Sequence, residues 1–131
     1  MAKPYDHDNI FAKILRDEIP CKRVYEDPFA LAFHDINPQA PVHVLVIPKA
    51  PYVSLDDFLA EATDPQITGF FRAVGKVSRA LGLAESEGGQ GFRALANAGG
   101  DAHQDVPHLH VHLFGGKPLG PMLAKQPESP K

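Results

Sequence analysis

The segment His108-Leu109-His110-Val111-His112-Leu113-Phe114 sets an imidazole at every second position, with apolar residues between. A strand has a side-chain period of two, so this run predicts one apolar face turned to a core and one face carrying all three histidines, neighbours about 7 Å apart. That spacing lets a phosphate-sized group touch two rings at once. The chain has 7 histidines in 131 residues, and three at this spacing would arise by accident at about the one-in-a-hundred level. Imidazole, with an ordinary pKa near 6.5, serves as nucleophile, as base, or as acid when protonated. Clustering sharpens these roles, because neighbouring imidazoles discourage each other's protonation, leaving one free to attack while another carries a proton. The middle residue, His110, is best placed for attack, and a nucleophilic imidazole needs its second nitrogen tied to an acceptor.

Two other readings share the pattern. The three histidines can be a solvated strand face with no task. They can also be metal ligands, since His at i and i+2 on a strand is a common zinc arrangement, with Asp105 or His43 completing the shell. Neither a nearby cysteine nor a well-spaced carboxylate strengthens the zinc reading. Both glycine clusters lead into strands rather than out of them, so neither the dinucleotide fingerprint nor the P-loop is present.

The elements that must position these residues follow from periodicity. Behind Asn9, a good cap, IFAKIL places Ile10, Phe11, Ile14 and Leu15 at helical spacing, and Ile19-Pro20 ends the helix. KRVYE and FALAFHD flank the turn at Asp27-Pro28 as a hairpin, and VHVLVIP, stopped by Pro48, reads as a third strand. Ser54 with Asp57 forms an approximate capping box for a short helix over LDDFLAEA. A longer helix is expected from Asp64 as cap and Pro65 as first helical residue, with Ile67, Phe70, Phe71, Val74, Val77 and Leu81 as its apolar stripe and Gly82 as terminator. FRALAN and HLHVHLF supply two more strands, separated by the loop AGGDAHQDVP. The expectation is a single α+β domain, a mostly antiparallel five-stranded sheet with two main helices, its core over about residues 8–116 and a proline-rich arm over 117–131.

Composition bounds the function. One cysteine, Cys21, excludes an internal disulfide framework and favours a reducing compartment. With 13 Lys+Arg against 16 Asp+Glu the formal charge is −3, and no basic block marks a nucleic-acid surface. No apolar run approaches the roughly 20 residues that cross a bilayer, so the expectation is a cytoplasmic protein with no membrane partner.

The stretch QDVPHLHVHL resembles the motif of the histidine triad (HIT) family, and IFAKILRDEIPCKRVYED, ALAFHDINPQAPVHVLVIPK and ANAGGDAHQDVPHLHVHLFGG are similar to its Hint branch, the histidine triad nucleotide-binding proteins. The likeness runs from about Asp8 to Gly116. The uridylyltransferase branch replaces the last triad histidine by Gln, whereas His112 stands here. The dinucleoside polyphosphate hydrolase branch shares the triad but does not match FHDINPQAP.

The resemblance implies a HIT-like fold and a homodimer that binds purine nucleoside monophosphates and hydrolyses their phosphoramidates, such as adenosine 5′-phosphoramidate or aminoacyl adenylates, with no metal or other cofactor. A nucleotidyl-histidine would form on His110. His112 would contact the phosphate and help protonate the departing amine, while His108 and His43 would hold the nucleophile through a hydrogen-bonded network. Asp35 would take the ribose hydroxyls. Ile10, Phe11, Ile14, Phe33, His34 and Ile36 would wall the base pocket, and Asn97 and Gln104 would donate amide hydrogens to the phosphate region. Asp105 departs from the family, whose best-known members carry Ser or Thr there; a carboxylate would repel phosphate and accept instead from a protonated His112 or a cationic leaving group. The alternatives are dinucleoside polyphosphate hydrolysis and a nucleotide-binding regulatory module with little turnover.

Overall fold

A computed structural model describes residues 4–123. In chain order it contains helix α1 (Ile10–Leu15), strands β1 (Arg23–Glu26), β2 (Ala30–His34) and β3 (Val42–Pro48), helices α2 (Leu55–Glu61) and α3 (Asp64–Ala80), strand β4 (Arg93–Leu95) and strand β5 (Val111–Gly115). Single 3-10 turns at Glu85–Glu87 and Gly100–Ala102 sit in the two loops flanking β4. The strands form one antiparallel sheet in the order β1-β2-β3-β5-β4. This is the α+β architecture expected, with α2 and α3 as its main helices. Of the expected arm, residues 124–131 lie outside the described residues.

Strand alternation splits the interior into two cores. Ala30 and Ala32 of β2, Val44 and Val46 of β3, and Val111 and Leu113 of β5 pack with Phe58 of α2 and Phe70, Ala73 and Val77 of α3. The intervening residues Leu31, Phe33, Leu45 and Ile47 turn the other way and pack with Phe11 and Ile14 of α1. Because α1 spans only 6 residues, less than two helical turns, it covers only part of that second face. The portion of β5 beyond it carries His112 and Phe114.

Local sequence explains the helix ends. Asn9 Oδ1 accepts from Ala12 N at 2.9 Å to start α1, and Asp57 and Ser54 complete the expected capping box on α2. The start of α3 differs from expectation. Thr63, not Asp64, is the cap: its hydroxyl accepts from Gln66 N while the Gln66 side chain accepts from Thr63 N. A residue that returns a second hydrogen bond satisfies two orphan donors, which Asp64 with Pro65 could not. The apolar stripe of α3 is also narrower than read, since Phe70 and Val77 are buried while Phe71 stays 43% exposed.

Candidate active site

The run His108–Phe114 is strand only from Val111 onward. Upstream of that point its main chain bonds sideways to the segment that follows β3: Leu109 N donates to Tyr52 O at 2.9 Å. The expected shared face of three imidazoles is formed, with Phe11 against both His108 and His110 and His112 beside His110, but it is largely closed to solvent. His108 is fully buried, His110 is nearly so, and only His112 is half-exposed. Alternation still sends Leu109, Val111 and Leu113 into the α3-side core.

Each ring's tautomer follows from its fixed partner. His108 Nε2 lies 2.8 Å from the carbonyl of Pro48, which can only accept, so Nε2 carries the proton and Nδ1 accepts from the Tyr5 hydroxyl at 2.6 Å. His110 Nδ1 lies 2.7 Å from the carbonyl of His108 and therefore carries that ring's proton. Its Nε2 keeps a lone pair. His43 Nδ1 accepts from Gln39 N at 3.1 Å, so His43 Nε2 holds the proton and donates to His112 Nδ1 at 2.9 Å. His112 is thereby left with its own proton on Nε2. The outcome is a bare nitrogen on His110 beside an N–H on His112, with ring centroids 5.0 Å apart.

The network expected around His110 is met in part: His108 holds it, through the main chain, while His43 bonds to His112 instead. His110 is held by the main chain of His108, while the His108 side chain points its hydrogen bonds to Pro48 and Tyr5. His43 holds His112, the diagonal neighbour set by pairing of β3 with β5, in which His43 faces Phe114 and Leu45 faces His112. Phe114 stacks parallel to His112 at 5.6 Å and lies 4.2 Å from His43. Phe11 of α1 meets His110 edge-on at 5.0 Å.

Burial governs protonation. It pushes His108 down to about 4, with the Pro48 carbonyl opposing the shift. It also pushes His112 down to about 4, aided by neighbouring His110 and His43. His110 and His43 are lowered chiefly by burial as well, with Asp35 opposing in both cases. All four rings are neutral at pH 7, as nucleophilic use of His110 requires.

His110 and His112 open onto a cavity of about 390 Å³, within the range of small-molecule sites. Ile10, Phe11, Ile14, Phe33, His34 and Ile36 line it together with Asp35, Asp105, His110 and His112. Sequence reasoning missed Leu45, Val106, Asn37 and Cys21 on the same wall, although the alternation of β3 marks Leu45. Ile36 is 88% exposed and forms a rim rather than a wall. Asp35 turns its Oδ1 to Asn37 N at 2.8 Å and its Oδ2 toward His43 Nε2 at 3.5 Å. A shallower groove of about 780 Å³ adjoins across Asp35 and His34 but reaches neither His110 nor His112.

Two expected phosphate donors do not line the cavity. Gln104 is spent on its loop: its amide donates to Val53 O at 2.6 Å and Val106 O at 3.1 Å, and its Oε1 accepts from Gly99 N at 3.0 Å. That bracing holds the approach to His108. Asn97 is half-buried beyond the end of β4 and contributes no side chain to the wall.

The zinc alternative can be tested on the donor atoms. Among the described residues one grouping has metal-ligand spacing, Asp35 with His43 and His112, its ligand atoms all within 4.8 Å. The Gln39 N–H places the His43 proton on Nε2, the nitrogen facing that cluster, and a protonated nitrogen has no lone pair for a cation. The set therefore does not suit a metal unless the Gln39 bond breaks. Asp105, expected to complete such a shell, is not part of it.

Comparisons with a family model, with curated proteins and with solved structures agree. The family model described as HIT domain matches residues 16–119. An uncharacterised HIT-like protein of Azospirillum brasilense is 62% identical over 125 residues, 95% of this chain and 99% of the relative. A protein of Escherichia coli named purine nucleoside phosphoramidase is 41% identical over 117 residues, 89% of this chain and 94% of its own. The solved structure of a histidine triad protein from Clostridium difficile superposes with a TM-score of 0.79 at 38% identity, covering 92% of this chain and all of that one.

Proposed function

The chain belongs to the HIT family, and from that premise we propose that it is a purine nucleoside phosphoramidate hydrolase of the Hint branch, working through a nucleotidyl-histidine. The observation that carries the reading is the pairing of a bare His110 Nε2 with an N–H on His112 at the polar end of an apolar cavity. The purine lies between Ile10, Phe11, Ile14 and Phe33, and Asp35 accepts from the ribose hydroxyls.

His110 Nε2 attacks the α-phosphorus, forming a P–N bond as the P–N bond to the leaving amine breaks. Bound phosphate brings negative charge against His112 and offsets the burial that keeps it neutral, so the ring takes a proton on Nδ1. The His43 N–H that had donated there turns to Asp35 Oδ2, 3.5 Å away. His112 then gives its Nε2 proton to the departing amine. Its bare Nε2 next accepts a proton from the water that attacks phosphorus, and the bond to His110 breaks to release the nucleoside monophosphate.

Asp105 shares the cavity with both rings, and its charge favours their protonated forms. It disfavours anionic leaving groups, which argues against dinucleoside polyphosphates as substrates. Incubating the protein with adenosine 5′-phosphoramidate and with diadenosine polyphosphate separates the readings. Turnover of the first and not the second is expected; the reverse overturns the proposal, and binding without turnover of either supports a regulatory module. Asp105→Ser is expected to lower the preference for cationic over neutral amines about tenfold while leaving nucleoside monophosphate affinity within about twofold. An unchanged amine preference removes the role given to Asp105.

The same reading includes a homodimer. Phe71 on α3 and Phe92 beside the edge strand β4 are 43% and 41% exposed, surface that a second copy related by a two-fold axis would cover. Light scattering at micromolar concentration should return twice the chain mass, and a monomer mass contradicts it.

A further inference from the structure

The segment before α1 takes no part in the chemistry described above, yet it ends on the most deeply buried ring of the triad. Its conformation is held at several points. Asp6 O accepts from Asn9 N at 3.2 Å and from Asn9 Nδ2 at 2.7 Å, and Asp6 Oδ1 accepts from Asp8 N at 2.9 Å. Arg16, just past α1, donates to His7 O at 2.7 Å. Asn9 simultaneously caps α1 through Ala12 N. One turn thus fixes two deliveries: Phe11 against His110 and the Tyr5 hydroxyl against His108.

We propose that Tyr5 is a positioning residue for the nucleophile, acting through His108. Pro48 O claims the His108 Nε2 proton, so Nδ1 is a lone pair inside a ring with 0% exposure. The Tyr5 hydroxyl at 2.6 Å is the donor that satisfies it, and the phenol ring meets the imidazole edge-on at 5.6 Å. A buried acceptor left without a donor bears the full desolvation penalty of its lone pair. The ring relieves that cost by turning or shifting, and its own main-chain carbonyl moves with it. That carbonyl is the 2.7 Å acceptor of the His110 Nδ1–H, the contact that sets both the tautomer and the aim of the attacking nitrogen. A small displacement of a nucleophile weakens attack far more than it weakens substrate binding.

The inference rests on His110 as nucleophile, and its test separates the two claims. Tyr5→Phe removes one oxygen from a half-buried ring and keeps the packing. With adenosine 5′-phosphoramidate, kcat is expected to fall about tenfold, equivalent to the loss of one hydrogen bond, with KM and nucleoside monophosphate affinity within about twofold. In ¹⁵N spectra the His108 Nδ1 resonance should move toward that of an unbonded lone pair, and the His110 Nδ1–H resonance should shift with it. Unchanged kcat in Tyr5→Phe overturns the role. If wild-type protein does not turn over the phosphoramidate, the hydrolase reading fails by itself, and the His110 resonance decides: a signal identical in wild type and Tyr5→Phe overturns the positioning claim. Tyr5→Ala, which removes the ring as well, should lower kcat at least as far, and retention of wild-type kcat there also counts against it.

Discussion

His110→Ala is expected to lower phosphoramidate turnover by about a thousandfold or more while nucleoside monophosphate affinity stays within about threefold. The asymmetry follows from the geometry. Removing the ring deletes the atom proposed to form the covalent bond, and without that step hydrolysis falls to whatever water achieves in the same cavity. Ile14, Phe33 and Asp35, the residues proposed to contact purine and ribose, lie elsewhere on the wall. Mass spectrometry of an acid-free quench should find a nucleotidyl adduct on wild-type protein and none on the variant. Turnover in His110→Ala within about tenfold of wild type assigns the attack to another group.

The second large effect concerns acid. His108 is depressed to about 4 in the folded protein, whereas in the unfolded chain it titrates near 6.5. Below pH 6.5 the unfolded chain therefore binds a proton that the folded protein refuses, so stability is complete above 6.5 and declines as pH falls toward 4. At 1.36 kcal/mol per pH unit, His108 alone costs about 2 kcal/mol between pH 6.5 and 5. His112, lowered to about 4 by burial and by His110 and His43, acts in the same direction. Urea unfolding across this window should show a falling ΔG together with proton uptake on unfolding. A flat ΔG from 6.5 to 5 contradicts the neutral burial of these rings. Bound nucleoside monophosphate should reduce the loss, since phosphate favours the protonated form of His112.

What could be read from residues alone divides along a physical line. Periodic segments were legible: IFAKIL is α1 and VHVLVIP is β3 to the residue, because alternation and helical spacing depend only on near neighbours. The α3 cap went to Thr63 because a reciprocal pair with Gln66 outweighs a lone Asp. In the site, His110 and His112 meet at the cavity, and so do Ile10, Phe11 and Ile14 of α1 and Phe33 of β2. The supports were not legible. Tyr5 and His108 stand 103 positions apart, and His43 and His112 are 69 apart; no local pattern links such pairs. The family resemblance makes Gln104 a phosphate donor, and only the approach of Gly99 and of the distant Val53 reveals that its amide is occupied. Phe114, two residues past His112, was open to discovery from the same alternation that singled out the histidines.

The pairing of β3 with β5 has a consequence for fidelity of folding. Leu45 faces His112 and Val44 faces Leu113, so a slip of one position would rotate every side chain of β5 to the opposite surface. Leu113 would leave the company of Phe70 and Val77, and His112 would enter it, trading an apolar contact for a ring with two unpaired nitrogens in a dry interior. Mispaired chains are thus penalised twice, once for the lost hydrophobe and once for the stranded imidazole. The alternation that gives this strand its reactive edge is also its proofreader, and a population of well-folded but catalytically misregistered molecules has no free-energy basin in which to collect.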